Sequence, residues 1–490
     1  MTTAGNDGPV GDNERDTLLA PLAPFQVIVL AVSGGSDSTA LLHLVHDWSR
    51  GRSPVVGSVV AVTVDHGLRP EAGAEAEEVA RQAAALGIEH RIVRWDGPRP
   101  TSGLQAAARA ARYKLLSGIA QDKLAGLGAE ARAAIVTAHT ADDQAETFLM
   151  RLARGSGVDG LASIPPRSNP AIGSREADRT PIELLRPLLG IPRCRLLATL
   201  AARSIPFSDD PSNRDRRFER VRVREALATL ETLGLTRKAL QRSAHRLQMA
   251  REALERAADA FEGRAVTSIA GLVYGIDLAA LSDTPGETAV RTLRRVLSDA
   301  GGAAPPAELD AVEAAVARLV SESDVPVFTL GGCLIGVATE KGSSRAVVQV
   351  CREPDRDGGL PSMMVAPGET ACWDERFYAS VSEIHPHPVN VGPLGADWKA
   401  LLGEFPGLDR LNLPLAAARG MPAFREDGKL LAVPLLAALL RDIGEVDAAR
   451  SLAGRIGSTR DGLPTPTLSL RPVRSARPDR KRTDRSKNPP

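Results

Sequence analysis

From Phe25 onward the chain alternates between two hydrophobic rhythms. "FQVIVLAV" (residues 25–32) is a short unbroken apolar run, the pattern of a strand covered on both faces. "DSTALLHLVHDWSR" (37–50) then places Leu41, Leu42, Val45 and Trp48 at helical spacing. "SVVAVTVDHGL" is β-rich, "EAGAEAEEVARQAAALG" is a helix ending at Gly87, and "EHRIVRW" is a third strand. "GLQAAARAARYKLLSGIA" reads as an alanine-rich helix, "AAIVTAH" as a fourth strand and "ADDQAETFLMRLARG" as a helix closing on Gly155. Strand and helix in alternation predict a doubly wound parallel sheet with helices on both faces, an α/β fold. In such sheets ligands gather beyond the C-terminal strand ends. Three polar clusters fall there: Ser33 to Ser38, Asp65 to Arg69, and His139 to Asp143.

The rhythm breaks at a Pro- and Ser-rich stretch, residues 164–181, read as a loop or hinge. "RKALQRSAHRLQMAREALERAADAFEG" predicts one long helix with charged faces, and residues 267–350 mix strand and helix text. The expected organisation is a disordered leader (1–20), the α/β domain (21–215), a helical and α+β domain for RNA (216–350), and a smaller C-terminal domain (360–460), with acceptor-end binding in view. A disordered basic tail (465–490) is expected to follow.

Composition narrows the function. With 490 residues several cores are expected. A net charge of +1 requires any nucleic-acid contact to come from local patches. Cys194, Cys333, Cys351 and Cys372 are scattered without a CxxC pair, against a disulfide framework, a structural zinc or an iron–sulfur cluster. No apolar run reaches membrane-spanning length and no secretory leader is visible, so a cytoplasmic protein is expected.

"SGGSDS" (33–38) is neither a Walker A loop, which needs a lysine, nor GxGxxG. Gly34 and Gly35 let backbone N–H groups converge on an anion, and the following helix adds its positive end. Ser33, Ser36 and Ser38 add hydroxyl donors. Asp37 would repel phosphate directly, so its natural role is to hold Mg²⁺ against it. Asp142 and Glu146 share a helix face near its start, where two carboxylates can bind Mg²⁺ or gather an ammonium group. His139 is either a ligand contact or a packed strand-end residue. Arg216, Arg217, Arg220 and Arg224 can line one helix face and neutralise phosphates.

"SGGSDS" resembles the loop of the PP-loop N-type ATP pyrophosphatases, whose fold is adenine nucleotide alpha-hydrolase-like. "AHTADDQAETFLMRLARGSGVDGL" (138–161) is more specific and resembles the tRNA(Ile)-lysidine synthase family. "TVDHGLRPEA", "LQAAARAARYKLL", "LLRPLLGI" and "DDPSNRDRRFERVRVR" match further motifs of that family, with Gln105 where the family commonly has glutamate. The resemblance covers residues 25 to about 225 and fades beyond. It implies ATP and Mg²⁺ as cofactors, and L-lysine and an isoleucine tRNA with a CAU anticodon as partners. The implied reaction adenylates the C2 carbonyl oxygen of the first anticodon cytidine and displaces AMP with lysine at C2. It implies that Val64 and His66 lie beside the adenosine, that Arg109, Arg112 and Tyr113 form a helix carrying an arginine toward the reacting phosphate, and that Asp37, Arg112, Asp142, Asp143 and Glu146 carry the chemistry. Asp37 and Asp142 are the expected metal ligands, and Asp142 or Asp143 the base. Competing readings are a PP-loop tRNA thiolase, which the missing CxxC opposes, and a non-catalytic nucleotide- or RNA-binding protein. A homodimer is left open.

Overall fold

The computed structural model describes residues 7–50, 57–65, 72–97, 103–128, 130–170, 182–208, 215–217, 219–339, 344–445, 448–449, 452 and 468–473. The chain divides into two compact units, Met1–Glu252 and Ala253–Pro490.

The first unit opens with α1 (Asp12–Leu19), followed by β1 (Val27–Ala31), α2 (Ser36–Arg50), β2 (Ser58–Asp65), α3 (Ala72–Ala85), β3 (Glu89–Arg94) and α4 (Leu104–Leu124). Next come β4 (Ala133–Val136), α5 (Ala141–Leu152), α6 (Val158–Leu161), β5 (Arg167–Ser168), β6 (Ile182–Leu185), α7 (Arg193–Ala202), α8 (Glu219–Thr232) and the N-terminal part of α9 (Arg237–Ala265), the helix that crosses the division after Glu252. The sheet order is β3-β2-β1-β4-β6-β5, parallel except for the edge pair β5–β6. The expected doubly wound parallel sheet is present.

Alternation along β1 explains the layering. Ile28 and Leu30 point to the face covered by α2 and α7, among Leu41, Leu42 and Leu196. Val27 and Val29 point the other way, onto Tyr113, Leu116 and Ile119 of α4. A strand buried on both sides reads as a continuous apolar run. Chain order runs outward to β2 on one side of β1 and to β4 on the other, so the loops after β1 and β4 part there. That is the switch point where doubly wound sheets bind ligands.

Three expectations are corrected, and one strand was not foreseen. Residues 12–19 form a helix, not a disordered leader, because Leu19, Leu22 and Phe25 are fully buried and Glu14 pairs with Arg195 at 2.6 Å. The first unit runs past residue 215 to Glu252, because α8 packs on α5 and Leu227, Leu240 and Ala244 share a core with Ala145 and Phe148. β6 escaped detection because four residues beside a Pro- and Ser-rich loop show no usable period. Residues 468–472, assigned to the tail, form a strand; 474–490 lie outside the described residues.

Among the described residues the second unit carries three antiparallel sheets. The first holds β7 (Val266–Ile269), β8 (Val273–Asp277), β9 (Phe328–Leu330), β10 (Cys333–Thr339) and β11 (Ala346–Arg352). It is backed by α10 (Leu278–Asp283), α11 (Gly286–Gly301) and α12 (Leu309–Ser321). The others are β12 (Met363–Val365) with β15 (Val389–Pro393), β16 (Pro422–Glu426) and β17 (Lys429–Ala432), and β13 (Thr370–Trp373) with β14 (Phe377–Val381) and β18 (Leu468–Pro472). Asp374, fully buried in the β13–β14 turn, is held by Arg352 at 3.1 Å and Arg376 at 2.6 Å. None of the helices among the described residues is long and apolar enough to cross a membrane.

Candidate active site

Residues 32–35 turn the chain from β1 into α2. Gly34 has φ +85°, and a Cβ there would meet Val79 Cγ2 at 3.3 Å and Ser208 Oγ at 3.5 Å. Glycine meets both constraints. The Gly34 carbonyl accepts from Ser208 N at 2.9 Å and from Thr39 Oγ1 at 3.2 Å. Ser38 Oγ donates to Gly35 O at 3.0 Å and accepts from Ser33 N at 3.2 Å, with Ser33 Oγ also at 3.2 Å. The serine hydroxyls therefore brace the loop. The first N–H groups of α2 have no helical acceptor and are the donors such a loop offers an anion.

Facing this loop, α5 starts after β4 with a reciprocal cap. Asp143 Oδ2 accepts from Thr140 N at 2.8 Å and from Thr140 Oγ1 at 3.0 Å. Asp142 Oδ2 accepts from Arg193 N at 2.8 Å, and Arg237 Nε lies 3.2 Å from Asp142 Oδ1. Burial raises the Asp37 carboxyl to about 6 against the pull of Arg193, and Asp143 and Asp142 push it the same way as burial. Burial and the Arg186, Arg109 and Arg112 charges drive the His139 imidazole down to about 3 against Asp143, so it is neutral at physiological pH. Its Nδ1 lies 2.9 Å from Thr137 Oγ1.

On α4 the guanidinium carbons of Arg109 and Arg112 lie 5.1 and 5.3 Å from the Tyr113 ring centre, within cation–π range. Arg186, itself buried, donates to Pro165 O at 2.7 Å and Ser168 Oγ at 3.1 Å. Arg112 Nε is buried without a hydrogen-bond partner among the described residues. A guanidinium with an unsatisfied buried donor is what an incoming phosphate oxygen would complete.

A model of the PP-loop domain matches residues 12–231. The tRNA(Ile)-lysidine synthase of Rhodopseudomonas palustris is 45% identical over 308 residues, covering 62% of this chain and 83% of that one. Its counterpart in Bradyrhizobium sp. is 41% identical over 368 residues, covering 72% and 95%. That of Methylobacterium nodulans is 43% identical over 342 residues, covering 68% and 92%.

The chain belongs to the tRNA(Ile)-lysidine synthase family.

The loop after β1 and the β4–α5 motif, which lie among the described residues, meet at the β1–β4 switch point, with partners that their spacing hid. Glu146 was expected beside the reacting groups. Its side chain is 1% exposed and held by Arg224 at 2.7 Å and Arg220 at 3.3 Å. Burial raises its pKa against the Arg224 hydrogen bond. Arg220 and Arg224, expected on a phosphate-binding face, also turn toward α5: α8 packs on it, both pair with Glu146, and Arg220 lies 3.8 Å from Asp143, while their side chains stay 43% and 38% exposed. Arg216 and Arg217 are exposed and pair with Glu225 at 3.0 Å and Asp215 at 2.6 Å. Asp142, an expected metal ligand, has both oxygens engaged, whereas Asp37 Oδ2 has no partner among the described residues. Val64, at the end of β2, is partly buried. His66 and Arg69 lie outside the described residues, as does Asp209 to Asn213 of the "DDPSN" motif.

Arg186, Arg193 and Arg237 were not foreseen as site residues. Arg186 and Arg193 sit in "LLRPLLGIPR", which looks like a connector, and Arg237 opens the long helix whose charged faces gave no sign of the site. Cys333 and Cys351 are buried, and burial pushes their thiols up to about 12 and about 11, so neither is a ready thiolate nucleophile.

Proposed function

We propose that this protein ligates free lysine to C2 of the first anticodon cytidine of an isoleucine tRNA in an ATP-dependent, two-step reaction. The carrying observation is the convergence of the β1 loop and the β4–α5 acids at one switch point in a chain 41–45% identical to three curated lysidine synthases. In the first step the cytidine O2 attacks the α-phosphorus of ATP and the bond to pyrophosphate breaks. In the second, the lysine ε-amine attacks C2, the C2–O bond breaks and AMP leaves with that oxygen. Adenylation is needed first because an amine cannot expel an unactivated oxygen.

The N–H groups of the 33–38 loop and α2 bind the departing pyrophosphate, and Arg112 offers its unsatisfied buried donor to a phosphate oxygen. Among the described residues no three carboxylate, imidazole or thiol groups form a ready metal cage. Mg²⁺ characteristically rests on one or two carboxylates plus substrate phosphates, and Asp37, with Oδ2 open and acids nearby, fits that role. Bound there it would neutralise charge on the phosphates. Lysine must react as the free amine. Among the described residues Asp143 Oδ1 meets only Arg220, at 3.8 Å, which supports Asp143 as the proton acceptor over fully engaged Asp142. Neutral His139 contributes a hydrogen-bonding edge to the nucleotide, and adds no charge.

Labelled-lysine incorporation into an isoleucine tRNA transcript with a CAU anticodon tests the reading. Incorporation that needs ATP and releases AMP and pyrophosphate is expected. ATP-dependent thiolation, or tRNA binding without either product, would replace it by the thiolase or the binding-protein reading.

A further inference from the structure

Arg193 opens α7, and two features set it apart from an ordinary surface arginine. Its main chain is tied to α5: Arg193 N donates to Asp142 Oδ2 at 2.8 Å, next to the bond from Ala141 N to Ile191 O at 3.0 Å. Its side chain reaches the other loop: Nη2 donates to Ser36 Oγ at 3.0 Å and Nε lies 3.4 Å from Asp37 Oδ1. Ser36 Oγ in turn donates to Asp37 Oδ1 at 3.1 Å, which closes a three-membered ring of contacts. One residue thus bridges the loop after β1 and the start of α5.

We propose that Arg193 is a positioning residue of the adenylation step, orienting the Asp37 carboxylate and the Ser36 hydroxyl toward the triphosphate and its cation. This rests on the ATP-dependent reading above. Ser36 is almost fully buried and Asp37 stands near two further carboxylates. Without the guanidinium, repulsion from Asp142 and Asp143 is unopposed by any other cation in direct contact with Asp37 among the described residues. The carboxylate is then free to turn away from them. Stability is not what the contact chiefly supplies: the Arg193 side chain is 34% exposed, and partly solvated ion pairs contribute little to folding. Orientation is the larger effect, since supporting residues around a metal or phosphate site typically govern activity by about 10- to 100-fold.

R193A and R193K separate orientation from folding, because both keep the main-chain N–H that Asp142 accepts. The readouts are tRNA-dependent pyrophosphate release, tRNA binding and thermal unfolding. R193A is expected to lower kcat for pyrophosphate release about 10- to 100-fold. The KM for tRNA should stay at the wild-type value and Tm within about 2 °C of it. R193K should recover part of the loss, since an ammonium reaches one partner but not both. Wild-type turnover in R193A overturns the proposal. So does a loss of turnover that follows a matching fall in Tm, or an R193K as impaired as R193A. Lysine ligation by the wild-type protein, measured alongside, tests the underlying function separately from pyrophosphate release.

Discussion

Replacing Asp37 by asparagine should make the metal-free protein more stable while removing its chemistry. Burial, together with the Asp142 and Asp143 carboxylates, moves the Asp37 carboxyl from 3.8 to about 6. Below pH 3.8 the group is protonated in both folded and unfolded chains and has no differential effect. As pH rises from 3.8 toward 6 the unfolded chain releases its proton and the folded chain does not, so folded stability is lost across that window and stays lost above it. At about 1.4 kcal/mol per pH unit the gap amounts to about 3 kcal/mol at neutral pH. Asparagine never ionises and escapes that penalty, but it weakens the contact to Arg193. A net gain of about 1–2 kcal/mol is therefore expected, or about 3–6 °C in the first unit's transition. Calorimetry in EDTA at pH 4 and pH 8 measures it: the D37N advantage should be present at pH 8 and much smaller at pH 4. Pyrophosphate release should fall at least about 100-fold, with tRNA binding kept. An Asp37→Asn protein less stable than wild type at pH 8, or an advantage equal at both pH values, would refute the electrostatic reasoning.

Four further outcomes follow from the same structure. His139, pushed down to about 3, stays neutral in the folded chain while the unfolded chain protonates near 6.5; wild-type Tm should therefore fall relative to H139Q as pH drops from 6.5 toward 3, and a constant difference would contradict this. R216A/R217A should flatten the log–log salt slope of tRNA binding by about 1.8 with Tm unchanged; R220A/R224A, which strips the buried Glu146 of both partners, should instead destabilise the first unit by about 2–4 kcal/mol, and a stable double variant would show the pairs to be incidental. D374A leaves the buried guanidiniums of Arg352 and Arg376 unpaired and should cost the second unit about 3–5 kcal/mol by calorimetry; a loss below about 1 kcal/mol would count against that network.

The linear chain was enough for whatever depends on neighbours in sequence. The β1 run, the glycines of the following loop and the strand–helix alternation that gives a parallel sheet are local: each follows from hydrophobic period or turn chemistry. Folding decided whatever depends on charges that meet across long separations. Arg193 reaches Ser36 over 157 positions, and Arg224 reaches Glu146 over 78. No periodicity records such encounters, so the buried pairing of Glu146 with Arg220 and Arg224 was not legible in the chain order. The α1 helix shows the same limit. Its own residues are polar enough to pass for a disordered leader, and it is held by Leu19 in the core and by Glu14 against Arg195, contacts that exist only once α7 is in place. Local pattern sets which backbone shapes the chain can adopt, whereas the pairing of ionic side chains is set by three-dimensional proximity, which the order of residues does not encode directly.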